Sequence, residues 1–83
     1  MGIFNLQIWF RGLKNIMTNY ISNLKKYRQL KELTQEELAI KVNVRRETIA
    51  RLENAKYNPS LELAVRISRE LDTPIESLFI FEL

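Results

Sequence analysis

Cysteine and histidine are absent from the 83 residues, and those two gaps remove whole classes of chemistry. Disulfides, thiolate or imidazole metal sites, cysteine nucleophiles and Ser-His-Asp triads are all excluded. Glycine is scarce too: Gly2 and Gly12 are the only two, so the body of the chain has none. A long apolar run is also missing. Met1–Ile16, MGIFNLQIWFRGLKNI, is apolar and aromatic and has no acidic residue, but Arg11 interrupts it and no small-residue cleavage site follows. A secretory signal is therefore not expected, which favours the cytoplasm. Carboxylates remain for catalysis, yet neighbours such as Glu36 and Glu37 point about 100° apart on a helix and cannot share one substrate atom. An enzyme is not expected, nor a cofactor or a metal.

What is present organises around Leu33–Asn54, LTQEELAIKVNVRRETIARLEN. Leu38 and Val42 are one helical step of four apart and Ile49 and Leu52 a step of three, so each segment buries one stripe. The phase breaks at Asn43, a residue that tolerates positive φ, and Val44 follows it. Ala39 is small enough for two helices to cross closely. These features in one register are the grammar of a helix-turn-helix.

Charge is modest in sum, with 13 Lys and Arg against 10 Asp and Glu, but uneven along the chain. Between Leu24 and Tyr57 the basic Lys25, Lys26, Arg28, Lys31, Lys41, Arg45, Arg46, Arg51 and Lys56 outnumber the acids. From Asn58 onward Glu62, Glu70, Asp72, Glu76 and Glu82 outnumber Arg66 and Arg69. A basic half and an acidic half orient a molecule toward a polyanion. Solvated helix faces would explain the charges alone; their coincidence with the helix-turn-helix favours DNA.

Two readings compete for residues 1–16. Ile3, Leu6, Phe10, Leu13 and Met17 follow a 3,4,3,4 spacing, as in an amphipathic helix that packs on a partner, a membrane surface or the domain itself. Alternatively Met17 opens a complete compact domain, 17–83, and the residues before it reflect an upstream start or added expression residues. The second reading is preferred.

A first helix is expected over about Ser22–Lys31, capped by Ser22 or Asn23, with Leu24, Tyr27 and the Lys31 stem inside. Arg28 falls on or beside that face and needs either a partner, for which Glu53 is the candidate, or an outlet to solvent or phosphate. Thr34 and Glu37 form a T-x-x-E capping box, which puts Gln35 in the first turn of the second helix, where outward N–H groups suit a phosphate. The third helix, Arg46–Asn54, turns Ile49 and Leu52 inward and Glu47, Ala50, Arg51 and Asn54 outward. Small Ala50 allows close approach to a groove floor, and arginines beside it can reach guanine N7 and O6.

In the following loop Lys56, Tyr57 and Asn58 suit phosphate contact, although Tyr57 serves equally to pack the loop. Ser60 caps a fourth helix to about Leu71 that buries Leu61, Ala64, Val65, Ser68 and Leu71, with Leu63 and Ile67 widening the stripe. Thr73 as cap, Pro74 at the first position and Glu76 three after the cap open a short fifth helix whose Ile75, Leu78 and Phe79 close the core. The alternating tail Phe79, Phe81, Leu83, with Ile80 between, reads as a short strand or a dimer contact.

On these residues the chain from about Asn23 to Phe79 closely resembles the lambda-repressor-like regulators of the Cro/CI or Xre type. LTQEELA, VNVRRETIARLEN, KYNPSLELA and LDTPIESLF carry the resemblance, over roughly the last two thirds of the chain. It implies an all-α, five-helix domain that binds operator DNA, normally as a homodimer, with the Arg46 helix in the major groove. By that pattern Arg45, Arg46, Glu47, Ala50 and Arg51 would face bases, while Gln35, Asn54, Lys56, Tyr57 and Asn58 would hold the DNA backbone. The Arg28–Glu53 ion pair is implied as well. A smaller subset of such repressors adds a terminal β-ribbon, which here would join Tyr20 and Ile21 to Ile80 and Phe81, making Phe79, Ile80 and Phe81 the expected dimer contact.

Two departures from the family stand out. Glycine is usual at the positions of Asn43 and Ala55 and near Glu32, so those turns are expected to differ in detail. Arg45 replaces the usual Ser or Thr cap of the recognition helix, at a loss of ~1 kcal/mol of capping, which marks it as a functional choice. The resulting expectation is a transcriptional regulator, in particular a repressor, on a palindromic site. The competing reading is a protein-interaction module, such as the antitoxin of a toxin pair, with Met1–Ile16 as its partner arm.

Overall fold

The computed structural model describes residues 20–81; the expectations for residues 1–19 and for Leu83 lie outside that range. The elements run β1 (Tyr20–Ser22), α1 (Leu24–Leu30), α2 (Gln35–Lys41), α3 (Arg46–Glu53), α4 (Leu61–Leu71), α5 (Ile75–Leu78) and β2 (Phe79–Phe81). Five helices enclose one core, and the two strands close antiparallel with Tyr20 opposite Phe81, Ile21 opposite Ile80 and Ser22 opposite Phe79. The ribbon is thus the one suggested by the alternation of the tail.

Leu24, Leu38, Ala39, Val42, Ile49, Leu52, Ile67, Leu71, Leu78 and Phe79 are almost wholly buried. Each large member contributes roughly 1.5–3 kcal/mol by leaving water. Tyr20 packs edge-on to Phe79 at 5.4 Å and tilted on Phe81 at 5.3 Å, so the ribbon is fastened to the core by aromatic contact. Its hydroxyl donates to the carbonyl oxygen of Tyr57 at 2.6 Å, and burial pushes its pKa up to about 12. That bond ties the first strand to the loop after α3.

Start signals were read correctly at two helices and misread at a third. Thr34 accepts from the Glu37 amide at 3.0 Å while the Glu37 carboxylate accepts from the Thr34 amide at 2.8 Å, which completes the capping box. Ser60 accepts from the Leu63 amide at 3.1 Å and opens α4. At α5 the expected cap fails. Pro74, not Thr73, stands at the N-cap, with ψ 145, because the Thr73 hydroxyl donates back to the Leu71 carbonyl at 2.9 Å. At α1, Asn23 is the cap residue but makes no side-chain cap bond; its amide side chain donates across to the Ser77 carbonyl at 3.3 Å.

Two helix faces are rotated from expectation. On α4 the buried set is Leu63, Ala64, Ile67 and Leu71, whereas Leu61 is exposed. Leu63, Ile67 and Leu71 follow steps of four, which keeps them on one side, and Leu61, about 200° from Leu63, falls on the other. On α1 the inner residues are Leu24 and Arg28, one step of four, and Lys31 lies outside the helix and is exposed.

The turns keep left-handed backbone without glycine. Glu32, Asn43, Ala55 and Asp72 all have positive φ, between 50 and 62°. The chain reversals require it: after Glu32 the Leu33 amide reaches back to the Arg28 carbonyl, and after Asn43 the Val44 amide reaches the Ala39 carbonyl. Side chains at these positions cost on the order of 1 kcal/mol each, least for Asn. Replacing Glu32 or Ala55 by Gly should therefore raise stability by about 0.5–1 kcal/mol in chemical denaturation, whereas Asn43→Gly should change little.

Acid should weaken α2 through Glu37. The Thr34 amide, then the Thr34 hydroxyl, hold this carboxyl below the usual range. A lowered folded pKa contributes stability that is full above the ordinary carboxylate range and is lost as pH falls through the lowered value. Glu37→Gln keeps an acceptor for the Thr34 amide but cannot titrate, so its unfolding midpoint should decline less steeply on the acid side than that of the parent chain.

Candidate nucleic-acid interface

The site is α3 and what holds it. α2 packs on α3 across Ala39, whose lack of bulk lets the two axes approach, and Ile49 and Leu52 are fully buried beneath α3. With both inward residues fixed, the opposite side has no choice of direction. Arg45, Arg46, Glu47, Arg51 and Asn54 are exposed and Ala50 is half-buried among them. The exposed face therefore carries three guanidinium groups around a small centre.

The N-terminus of α3 is electrostatically mismatched. Arg45 is the N-cap, with extended backbone at φ −79 and ψ 152, and makes no side-chain cap bond. A cation at the positive end of a helix is unfavourable, and Glu47 in the first turn offsets part of it. A polyanion approaching that end would meet both the arginines and the helix dipole with the right sign.

Behind this face lies an ion pair. Arg28 of α1 and Glu53 of α3 meet with their side chains 9% and 5% exposed, which is why Arg28 sits inside. The guanidinium also donates to the Leu33 carbonyl at 2.7 Å, joining the turn before α2 to the pair. Gln35 completes the set: its Nε2 donates to Glu53 Oε1 at 2.9 Å, and its Oε1 accepts from Arg46 Nη1 at 3.2 Å. Among the described residues, no buried side-chain nitrogen or oxygen lacks a hydrogen-bond partner.

The remaining expected residues are less uniform. Lys56 and Asn58 are exposed on the loop after α3. Tyr57 is half-buried, packs on the core and gives its carbonyl to Tyr20, so loop packing, the second of its two readings, describes it. Asn54 turns its amide back to the Ala50 carbonyl at 3.0 Å. Phe79, expected at a dimer contact, is 2% exposed within its own core, which leaves Ile80 and Phe81 of that set on the surface. Sequence reasoning missed the link from Gln35 to Glu53; two polar residues on facing helices, one beside a cap and one beside a buried arginine, were the available sign.

A family model described as helix-turn-helix matches residues 24–78, the stretch from α1 through α5. The chain is 54% identical over 61 residues to an uncharacterized HTH-type transcriptional regulator of Archaeoglobus fulgidus, covering 74% of this chain and 87% of that one. A regulator of the same description from Methanocaldococcus jannaschii is 49% identical over 61 residues, covering 74% of this chain and 92% of the relative. This chain belongs to the Cro/CI (Xre-type) helix-turn-helix family of transcriptional regulators.

Among solved structures, a restriction-modification controller protein from Aeromonas hydrophila superposes with a TM-score of 0.62 at 30% identity, over 68% of this chain and 85% of that one. The regulator is thus a DNA-binding protein whose α2–turn–α3 unit is its helix-turn-helix. No helix among the described residues is long and apolar enough to cross a membrane.

The mismatch at Arg45 gives a direct test. Arg45→Ser restores a side-chain cap, so thermal or chemical unfolding should show a gain of ~1 kcal/mol. DNA affinity should fall in the same variant; affinity left intact would mean that Arg45 has no role on DNA.

Proposed function

We propose that this regulator binds a palindromic operator as a homodimer, with α3 in the major groove, and represses transcription by occupying that site. The observation that carries the reading is the exposed face of α3, where Arg45, Arg46, Glu47 and Arg51 surround Ala50 while Ile49 and Leu52 lock the opposite side. An arginine there can donate two hydrogen bonds to guanine N7 and O6, and Glu47 can accept from cytosine N4. Lys56 and Asn58 on the following loop are placed to hold the backbone and set the register. The half-sites would lie about 34 Å apart, one turn of the duplex.

Dimerisation is supported by the ribbon. Ile21 and Ile80 face each other across the strands and are 55% and 41% exposed, and Phe81 is 44% exposed, an apolar surface beside two open strand edges. A two-fold partner would cover it and space two α3 helices for a palindrome.

The test is selection of bound duplexes from random-sequence DNA, followed by titrations of the selected site. A palindromic consensus is expected, with a steep fall in affinity as salt rises; a flat salt response would overturn the phosphate contacts. Arg51→Ala should cost roughly 1–3 kcal/mol and relax one base position. Ile80→Glu should shift the free protein to monomer in sedimentation and weaken binding to the whole site more than to a half-site.

A further inference from the structure

Gln35 joins the buried ion pair to the exposed arginine at the start of α3. We propose that it is a positioning residue for base readout: the buried Glu53 holds its amide, and the amide holds the Arg46 guanidinium in the orientation that meets the DNA. This rests on the reading of Arg46 as a base-facing residue.

The hydrogen-bond directions leave one arrangement. A carboxylate only accepts, so the Gln35 group 2.9 Å from Glu53 Oε1 must be the donating Nε2. The amide oxygen then points the other way, and a guanidinium only donates, so Arg46 Nη1 at 3.2 Å is its matched partner. Glu53 cannot swing aside to relax this, because Arg28 holds both of its oxygens and its side chain is 5% exposed. The ordered chain runs from α1 through α3 to α2 and back to the first turn of α3.

The chemistry at position 35 suits a positioning role. A carboxylate there would be repelled by Glu53 and would neutralise the cation intended for DNA. The neutral amide does neither, and it uses one of the five guanidinium donors, leaving enough for a bidentate contact with guanine. An arginine already oriented loses less freedom on binding than one that is not. Gln35 was expected at the DNA backbone; with both ends of its amide engaged inside the protein, its effect on DNA is transmitted through Arg46.

The experiment is a double-mutant cycle with Gln35→Met, which keeps length and removes both hydrogen bonds, Arg46→Ala, and the double variant. Each is titrated against the duplex selected from random DNA and its single-base variants, at several salt concentrations. Gln35→Met should lower discrimination at the base pair read by Arg46 by roughly 5- to 100-fold, the range of one specific contact, with the salt slope unchanged. In the Arg46→Ala background it should change nothing further.

A uniform loss on every duplex with a shallower salt slope would make Gln35 a phosphate contact and overturn the proposal, as would losses that multiply in the double variant. Discrimination lost in Arg46→Ala but kept in Gln35→Met would overturn the positioning role alone. Discrimination kept in Arg46→Ala would overturn the base reading and the proposal with it. Thermal unfolding checks each variant, and Gln35→Ala repeats the test should the methionine perturb folding.

Discussion

Arg28 and Glu53 are the constraint on which the arrangement of the first three helices depends. Two charges withdrawn from water need excellent geometry and complete hydrogen bonding to be tolerated, and here both carboxylate oxygens and the turn carbonyl of Leu33 are engaged. The gain from such a pair over an apolar substitute is small, but the cost of an incomplete pair is several kcal/mol. Its value is therefore in what it forbids. α1 cannot slide along α3, and the turn leading into α2 cannot move away, without stranding a charge.

That restriction reaches the functional face. α3 is only two turns long, and a helix of that length has little orientation of its own; packing supplies it. Ile49 and Leu52 anchor it from below, Ala39 lets α2 close over it, and Glu53 pins its C-terminal end. The exposed arginines are thus carried on the most constrained helix in the molecule, as sequence readout requires. The ribbon plays the same part for the loop after α3, through the bond from the Tyr20 hydroxyl to the Tyr57 carbonyl.

The four left-handed residues show where local preference gives way. Glu32, Ala55 and Asp72 are poor choices for positive φ, yet each sits at a chain reversal between buried helices. Burial of one large side chain at 1.5–3 kcal/mol outweighs a backbone cost of 1–2 kcal/mol at such a turn. Reading the missing glycines as altered turns weighed the local term and underestimated the tertiary one. The same imbalance explains Thr73, whose capping potential lost to a closer carbonyl, and Leu61, whose apolar side chain could not outvote the steps of four that place Leu63, Ile67 and Leu71 together.

By itself the sequence determined the helices, their order, the capping boxes that start α2 and α4, and the inward residues of α2 and α3, because periodicity and caps are local properties. It also named the outward face of α3, since that face is what remains once Ile49 and Leu52 turn in. Tertiary structure decided which of two equal fates Arg28 took, buried Phe79 rather than leaving it for a partner, and drew Gln35 between Glu53 and Arg46. Those outcomes depend on distances between residues far apart in the chain. No spacing within a helix encodes them; they exist only once the core has brought α1, α2 and α3 together.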